Sequence, residues 1–237
     1  MPGNYAVLVD AGFLKAEGAK AVGMARDNLT FDGATCIDWF SGFHRDNRFA
    51  PLAPIFADKA FLRAYWYDGA FDPTDRRYQT QRAVFEALAI VPGLYLRLGQ
   101  LQERRPSWQR RVQRAVLACG VSLADFEKHF RFRSELEQKG VDALMTLDLV
   151  HLSRDRAADA ILLVSGDRDL EEAVRVAQGV GCKVVLAHPP AAGVARALRQ
   201  LADAQLSIEA VDLRRMLVPV RPRLVTAGAG IRSARTP

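Results

Sequence analysis

Asp10 closes the apolar run Tyr5-Ala-Val-Leu-Val9, and Asp167 and Asp169 follow the run Ala160-Ile-Leu-Leu-Val-Ser165-Gly166. Asp142 comes directly after Lys139-Gly140-Val141, at the start of an amphipathic stretch. Carboxylates gathered at one edge of a sheet repel each other, which costs stability unless a cation neutralises them. Hard oxygen donors of this kind suit Mg2+ or Mn2+. One or two such ions can activate a water and stabilise the leaving oxygen of a phosphodiester. The chemistry open to this set is therefore metal-assisted phosphodiester hydrolysis. Each residue also has a plainer reading. Asp10 can be a strand-end turn residue, Ser165 and Asp169 can cap a helix, and Lys139 can be either a phosphate ligand or a solvated charge. Asp148 lies six residues after Asp142, not quite on the same helix face, and ranks as secondary.

The elements that must position these residues are legible from apolar periodicity. Strands are expected at Tyr5–Asp10, Phe61–Tyr67, Leu94–Leu98, Ala160–Val164 and Lys183–Ala187, with Asp68-Gly69 read as a turn after the second. Helices are expected at Thr74–Ile90, Gly140–Ser153, Leu170–Gly179 and Gly193–Ala204. In the Gly140 helix, Val141, Leu144, Leu147 and Val150 are taken as the apolar face. Continuously apolar strands lie in parallel sheets covered on both faces, and strands alternating with helices make a doubly wound α/β sandwich. Ligands of such sheets bind at the carboxyl ends of the strands, where the aspartates fall.

The chain has 237 residues, 33 Lys+Arg against 27 Asp+Glu, and a formal charge of +6, with about half its residues apolar. That excludes pervasive disorder, and no uncharged apolar run approaches the ~20 residues of a membrane-spanning helix. One large domain over 4–218 is expected, with a basic helical insertion at about 100–138 and a flexible basic tail at 219–237. Nothing at the N-terminus reads as a secretory signal. Cys36, Cys119 and Cys182 are far apart, form no CxxC pair, and are read as buried thiols in a reducing cytoplasm. Only six of the basic residues are Lys, an arginine excess that fits a coding bias and also permits a polyanion partner. Within the insertion Arg104, Arg105, Arg110 and Arg111 surround Trp108, a set able to grip an RNA backbone and stack a base, or to form a solvated helix face.

Other chemistries fail on their motifs. No G-x-G-x-x-G follows the first strand and no Walker A sequence occurs. Ser165 lacks the G-x-S-x-G elbow, a phosphoaspartate site would want an acid where Gly12 stands, and the four histidines show no metal spacing.

The combination V-D-A-G-F at the first strand, K-G-V-D-A-L-M-T-L-D at a helix and L-L-V-S-G-D-R-D-L after a strand resembles the NYN domain, in its LabA-like branch, within the PIN-like nuclease superfamily. The resemblance runs over roughly 4–205. It implies a PIN-like three-layer α/β/α sandwich with a central, mostly parallel sheet, and a metal-dependent ribonuclease using Mg2+ or Mn2+. Asp10, Asp142, Asp167 and Asp169 match the family's acids. Ser165 resembles the small hydroxyl residue that helps hold water in PIN-like sites, and Asp148 matches the second Asp of the helix motif. RNA is the implied partner, and PIN-like proteins are often dimers. One departure stands out: many members carry an Asn shortly after the first Asp, where this chain has Ala11-Gly12-Phe13. A non-catalytic RNA-binding or regulatory NYN protein is the alternative, and the acids do not separate RNA from DNA.

Overall fold

The computed structural model describes residues 3–104, 107–130 and 135–220, without the side chains of Arg104, Ser107, Trp108, Gln109 and Glu135. The first part of the chain runs β1 (Gly3–Asp10), α1 (Ala11–Val22), β2 (Leu29–Phe31), α2 (Gly33–Gly42), α3 (Ala53–Phe56), β3 (Lys59–Ala70), α4 (Tyr78–Ala89) and β4 (Leu94–Arg104). There follow α5 (Ser107–Ala118), α6 (Leu123–His129), β5 (Glu135–Lys139), α7 (Val141–Arg154), β6 (Ala160–Val164) and α8 (Glu171–Gly179). The remainder is β7 (Lys183–His188), α9 (Arg196–Leu201), β8 (Ala204–Ser207), α10 (Ala210–Met216) and β9 (Leu217–Pro219).

Among the described residues seven strands form one sheet in the order β5-β4-β3-β1-β6-β7-β8, parallel except for β5, while β2 and β9 pair as a small antiparallel ribbon. This is the expected three-layer α/β/α arrangement. Tyr5 to Val9 of β1 and Ala160 to Val164 of β6 are fully buried, because helices cover both faces of the central strands. Tyr5, Val7 and Val9 face one layer with Leu14, Phe40 and Leu213, whereas Ala6 and Leu8 face the other with Met145, Leu149 and Val174. Residue alternation along a strand thus feeds two cores at once.

The structure changes several sequence expectations. β3 continues through Asp68 and Gly69 to Ala70, so Asp68-Gly69 is strand and not turn. There β3 pairs with an extended β4, Asp68 opposite Leu98 and Gly69 opposite Gly99. Residues 100–104 and 135–139, placed in the helical insertion by sequence, are paired antiparallel strands, and α5 and α6 sit between them. The buried apolar residues of α7 are Val141, Met145, Leu149 and Leu152; of the expected face Val141 is among them, Leu144 and Val150 pack partly buried against the same core, and Leu147 is 52% exposed. The Gly193–Ala204 helix shrinks to α9, and Ala204 begins a strand. Cys36 and Cys182 are buried but Cys119 is exposed. Pro219 ends β9 instead of opening a tail, and 221–237 lie outside the described residues.

Two glycines hold the motif-bearing loops together. A Cβ on Gly166 would stand 2.5 Å from Phe13 Cε2 and 2.7 Å from the Gly193 carbonyl, and one on Gly99 would stand 2.5 Å from the Lys139 carbonyl. The first contact joins V-D-A-G-F to S-G-D-R-D, and the second seats the turn into α7. A Cβ on Gly12 would instead stand nearest the end of the Gln138 side chain, at 2.9 Å, and no backbone atom is among its three nearest neighbours. Gly166→Ala is expected to cost ~1–3 kcal/mol through overpacking against backbone, or roughly 3–10 °C in melting temperature. Gly12→Ala, which improves the helix propensity of α1, is expected to shift melting by no more than about 2 °C. Thermal unfolding of the two variants checks this.

Candidate functional site

The sheet order creates the site. The helix after β1 lies on one face of the sheet and the helix after β6 on the other, as the two cores show. Adjacent strands whose connections diverge in this way leave a crevice beyond their carboxyl ends. Asp10 ends β1, and Ser165 follows Val164, the partner of Val9. The neighbouring β3 overshoots β1: Tyr67 pairs with Asp10, so Asp68 stands one residue further along the same edge. Asp142 reaches this edge from the first turn of α7, after Gly140 takes a left-handed conformation at φ 82°. A left-handed turn of this kind favours glycine.

Local hydrogen bonds orient the acids. Asp10 Oδ1 accepts the Phe13 N–H at 2.9 Å, so the carboxylate also caps α1. The fully buried Ser165 Oγ accepts the Asp167 N–H at 3.2 Å, and Asp167 Oδ1 accepts the Asp169 N–H at 2.9 Å. The residue capping the short 3-10 turn at Arg168–Leu170 is therefore Asp167, not Asp169. Asp68 Oδ1 accepts from its neighbour Gly69 N–H at 2.8 Å and from Gln138 Nε2 of β5 at 2.9 Å.

Among the described residues none of Asp10, Asp68, Asp142, Asp167 and Asp169 forms a salt bridge, whereas Asp46, Asp58, Asp75, Asp125, Asp148, Asp203 and Asp212 all do. Burial pushes the Asp10 carboxyl up to about 6, and the charges of Asp142, Asp68 and Asp167 add to the rise against the Phe13 hydrogen bond. Asp68 is raised to about 6 by burial, partly offset by its hydrogen bonds and by Lys15 and Arg26. Burial, then the charges of Asp167 and Asp169, raise Asp142. The mutual influence shows that these acids share one electrostatic neighbourhood.

The donor chemistry fits a hard divalent cation: oxygens only, outside any salt bridge among the described residues, and oriented. Yet among the described residues no three His, Cys, Asp or Glu side chains are gathered closely enough to hold an ion as they stand. Mg2+ keeps several of its waters and is commonly held by one or two carboxylates together with substrate phosphate. An open edge with separated aspartates suits that habit better than a closed cage.

The other sequence candidates fall elsewhere. Asp148 is taken by Arg97, whose Nε and Nη2 donate at 2.8 and 3.0 Å, and by the buried Tyr67 hydroxyl at 2.8 Å. It braces α7 against β3 and β4. Lys139 is exposed at the end of β5. Arg110 and Arg111 are exposed on α5 and form no ion pair among the described residues. Arg105 and the side chains of Arg104 and Trp108 lie outside the described residues. Asp68 was missed because Asp-Gly reads as a turn, although the signal that singled out Asp10, an acid closing an apolar strand, was present in Phe61–Asp68 as well.

Two expectations follow. An acid whose folded pKa is raised destabilises the native state as pH climbs from its unfolded value, 3.8, through its folded value of about 6, because the unfolded chain releases the proton first. The stability of Asp10→Asn minus that of wild type should therefore grow by about 1–3 kcal/mol between pH 4 and 7 and level off above, measured by denaturant titration without metal. Asp148→Asn should lose ~1–3 kcal/mol through its broken Arg97 pair, read from the same denaturant titration at pH 7.

Comparison with known proteins bears on the family and the fold. The family model described as NYN domain matches residues 63–209, a span that contains Asp68, Asp142, Asp167 and Asp169 and starts after Asp10. An uncharacterised protein of Sinorhizobium fredii, y4oD, is 44% identical over 69 residues, which is 28% of this chain and 32% of that protein. The chain thus spans about a third of that relative's length. A crystal structure of a protein of unknown function from Vibrio parahaemolyticus superposes with a TM-score of 0.51 at 19% identity, covering 92% of this chain and 97% of that one. This likeness speaks to the fold alone. With the family model matched over more than half its length, the chain belongs to the NYN domain family and through it to the PIN-like superfamily.

Proposed function

We propose that the protein is a metal-dependent ribonuclease, cutting RNA internally at the edge formed by β1, β3, β6 and α7. One observation carries this reading. Asp10, Asp142 and Asp167 stand within electrostatic reach of one another, and none of them forms a salt bridge among the described residues, at the crevice where the sheet's connections diverge. Membership of a nuclease family supports it. Asp10, Asp142, Asp167 and Asp68 would hold one or two Mg2+ or Mn2+, with Asp169 at the rim. A divalent ion bound there supplies a Lewis acid for the scissile phosphate and lowers the pKa of an attacking water.

The chain's own residues do the positioning. The α1 turn fixes Asp10, the Ser165 hydroxyl fixes the backbone of Asp167, and the Gln138 amide fixes Asp68. Arg110 and Arg111 on α5, with Arg104, Arg105 and Trp108 in the same segment, would engage the RNA strand away from the cut, and Lys139 would meet a phosphate near Asp142. A homodimer remains part of the proposal on the family's habit.

A second reading, a non-catalytic RNA-binding or regulatory protein, is favoured by the separated acids and by Gly12 in place of a polar residue. Cleavage separates the two. Single-stranded RNA and its DNA counterpart are incubated with Mn2+, Mg2+ or EDTA, using wild type, Asp142→Asn and Asp167→Asn. Metal-dependent internal RNA products, reduced at least 100-fold in both variants with RNA retention intact, are expected. RNA retention without cleavage in wild type would select the second reading, and undiminished cleavage in Asp167→Asn would refute the site.

A further inference from the structure

Beside Asp68 lies a cavity of about 590 Å3, walled by α1, β2, the loop after β3 and α4. Its size is that of a small-molecule site, ~300–1,000 Å3. The floor is apolar, made by Leu29, Phe31, Val84, Phe85 and Leu88. The rim is charged and polar, with the cations Lys15, Arg76 and Arg77, the carboxylates Asp27 and Asp68, and Thr80. Two of these cations, the half-buried Lys15 and the exposed Arg76, form no ion pair among the described residues. Arg77 is different. It is clamped by Asp75 and Glu103, each at 2.7 Å, and its guanidinium lies 4.1 Å from the centre of the Phe71 ring. That fixes a planar surface at the cavity mouth, the kind on which unstacked bases lie. Gln81 is held too, donating to the Gly69 carbonyl at 2.7 Å and accepting from Phe71 N–H at 2.8 Å, which ties the wall to the strand bearing Asp68.

We propose that this cavity is a nucleotide subsite, seating one unpaired nucleotide of the RNA strand with its base on the apolar floor beside Arg77 and its phosphate on Lys15 and Arg76. The assignment rests on the ribonuclease reading for its role, and on the cavity alone for its ligand chemistry. An apolar slot beside Lys15 and Arg76, neither of which is held in a salt bridge among the described residues, matches a base joined to a phosphate, and Asp68 as a shared wall places that nucleotide next to the acids. A paired base could not enter, so the subsite selects single strands.

The test uses adenosine and uridine 5′-monophosphate and a labelled single-stranded RNA, each titrated in EDTA against the full chain carrying Asp167→Asn. Three further substitutions are compared: Arg76→Glu, the cavity-filling Val84→Trp, and, as control, Arg154→Glu in the last turn of α7. Arg76→Glu and Val84→Trp should each weaken monophosphate and RNA binding at least tenfold, with the control within twofold. Equal loss in Arg76→Glu and Arg154→Glu, or no loss in Arg76→Glu, overturns the subsite. So does monophosphate binding that appears only when residues 221–237 are deleted, since the tail would then be the occupant. Cleavage in an otherwise wild-type background is read separately. Metal-dependent cleavage with KM unchanged in Arg76→Glu keeps the nuclease and removes the subsite. Nucleotide binding lost in Arg76→Glu, without any cleavage by wild type, does the reverse.

Discussion

Setting several carboxylates where β1, β3 and β6 end costs free energy, because burial desolvates Asp10, Asp68 and Asp142 and like charges raise one another's energy. Among the described residues none of Asp10, Asp68, Asp142, Asp167 and Asp169 is held in a salt bridge. The raised carboxyls of Asp10 and Asp68 show the cost in the ion-free chain. A fold with buried strands from Tyr5 to Val9 and Ala160 to Val164 can absorb that cost, since the full burial of a single Leu or Val side chain contributes ~1.5–3 kcal/mol. The apolar sheet and the charged edge are therefore two sides of one arrangement.

That arrangement depends on short-range geometry as much as on the core. Gly166 admits Phe13 and the Gly193 backbone, so the loop after β6 lies against the first turn of α1. Gly99 admits the Lys139 carbonyl, so α7 begins beside β4 and carries Asp142 to the edge. Gln138 fills the space left by Gly12 and donates to Asp68. The polar side chain that many family members place after the first Asp is absent here, and an amide arriving from β5 occupies that region. The basic insertion thus contributes to the site through the strand that closes it.

Much of this was legible in the sequence for physical reasons. β1, β6 and β7 are unbroken apolar runs, which only a doubly covered parallel strand tolerates, and the motifs containing Asp10, Asp142 and Asp167 sit at their ends or at a helix start. What was not legible depended on tertiary pairing. Asp68-Gly69 is a turn by local preference, but β4 continues alongside and keeps it extended. Residues 135–139, Glu-Leu-Glu-Gln-Lys, have little strand character by composition, and become a strand by pairing with the overshooting end of β4. In α7 the i, i+3 spacing placed Val141, Leu144 and Val150 on the core side but missed that Met145 and Leu149 lie at its centre and that Leu147 points away from it. Asp148 was carried as a supporting acid because a motif does not reveal that Arg97, from a distant strand, will claim it.

The central claim is that the aspartate edge is an ion site completed by substrate. The direct measurement is the loss of the free Mn2+ resonance signal when protein is added with and without a cleavage-resistant single-stranded RNA analogue. The account predicts weak uptake by the protein alone, at least tenfold tighter uptake with the RNA analogue present, and loss of that gain in Asp10→Asn and Asp142→Asn. Mn2+ uptake unaffected by the RNA analogue and by both substitutions, or no uptake under either condition, would contradict it.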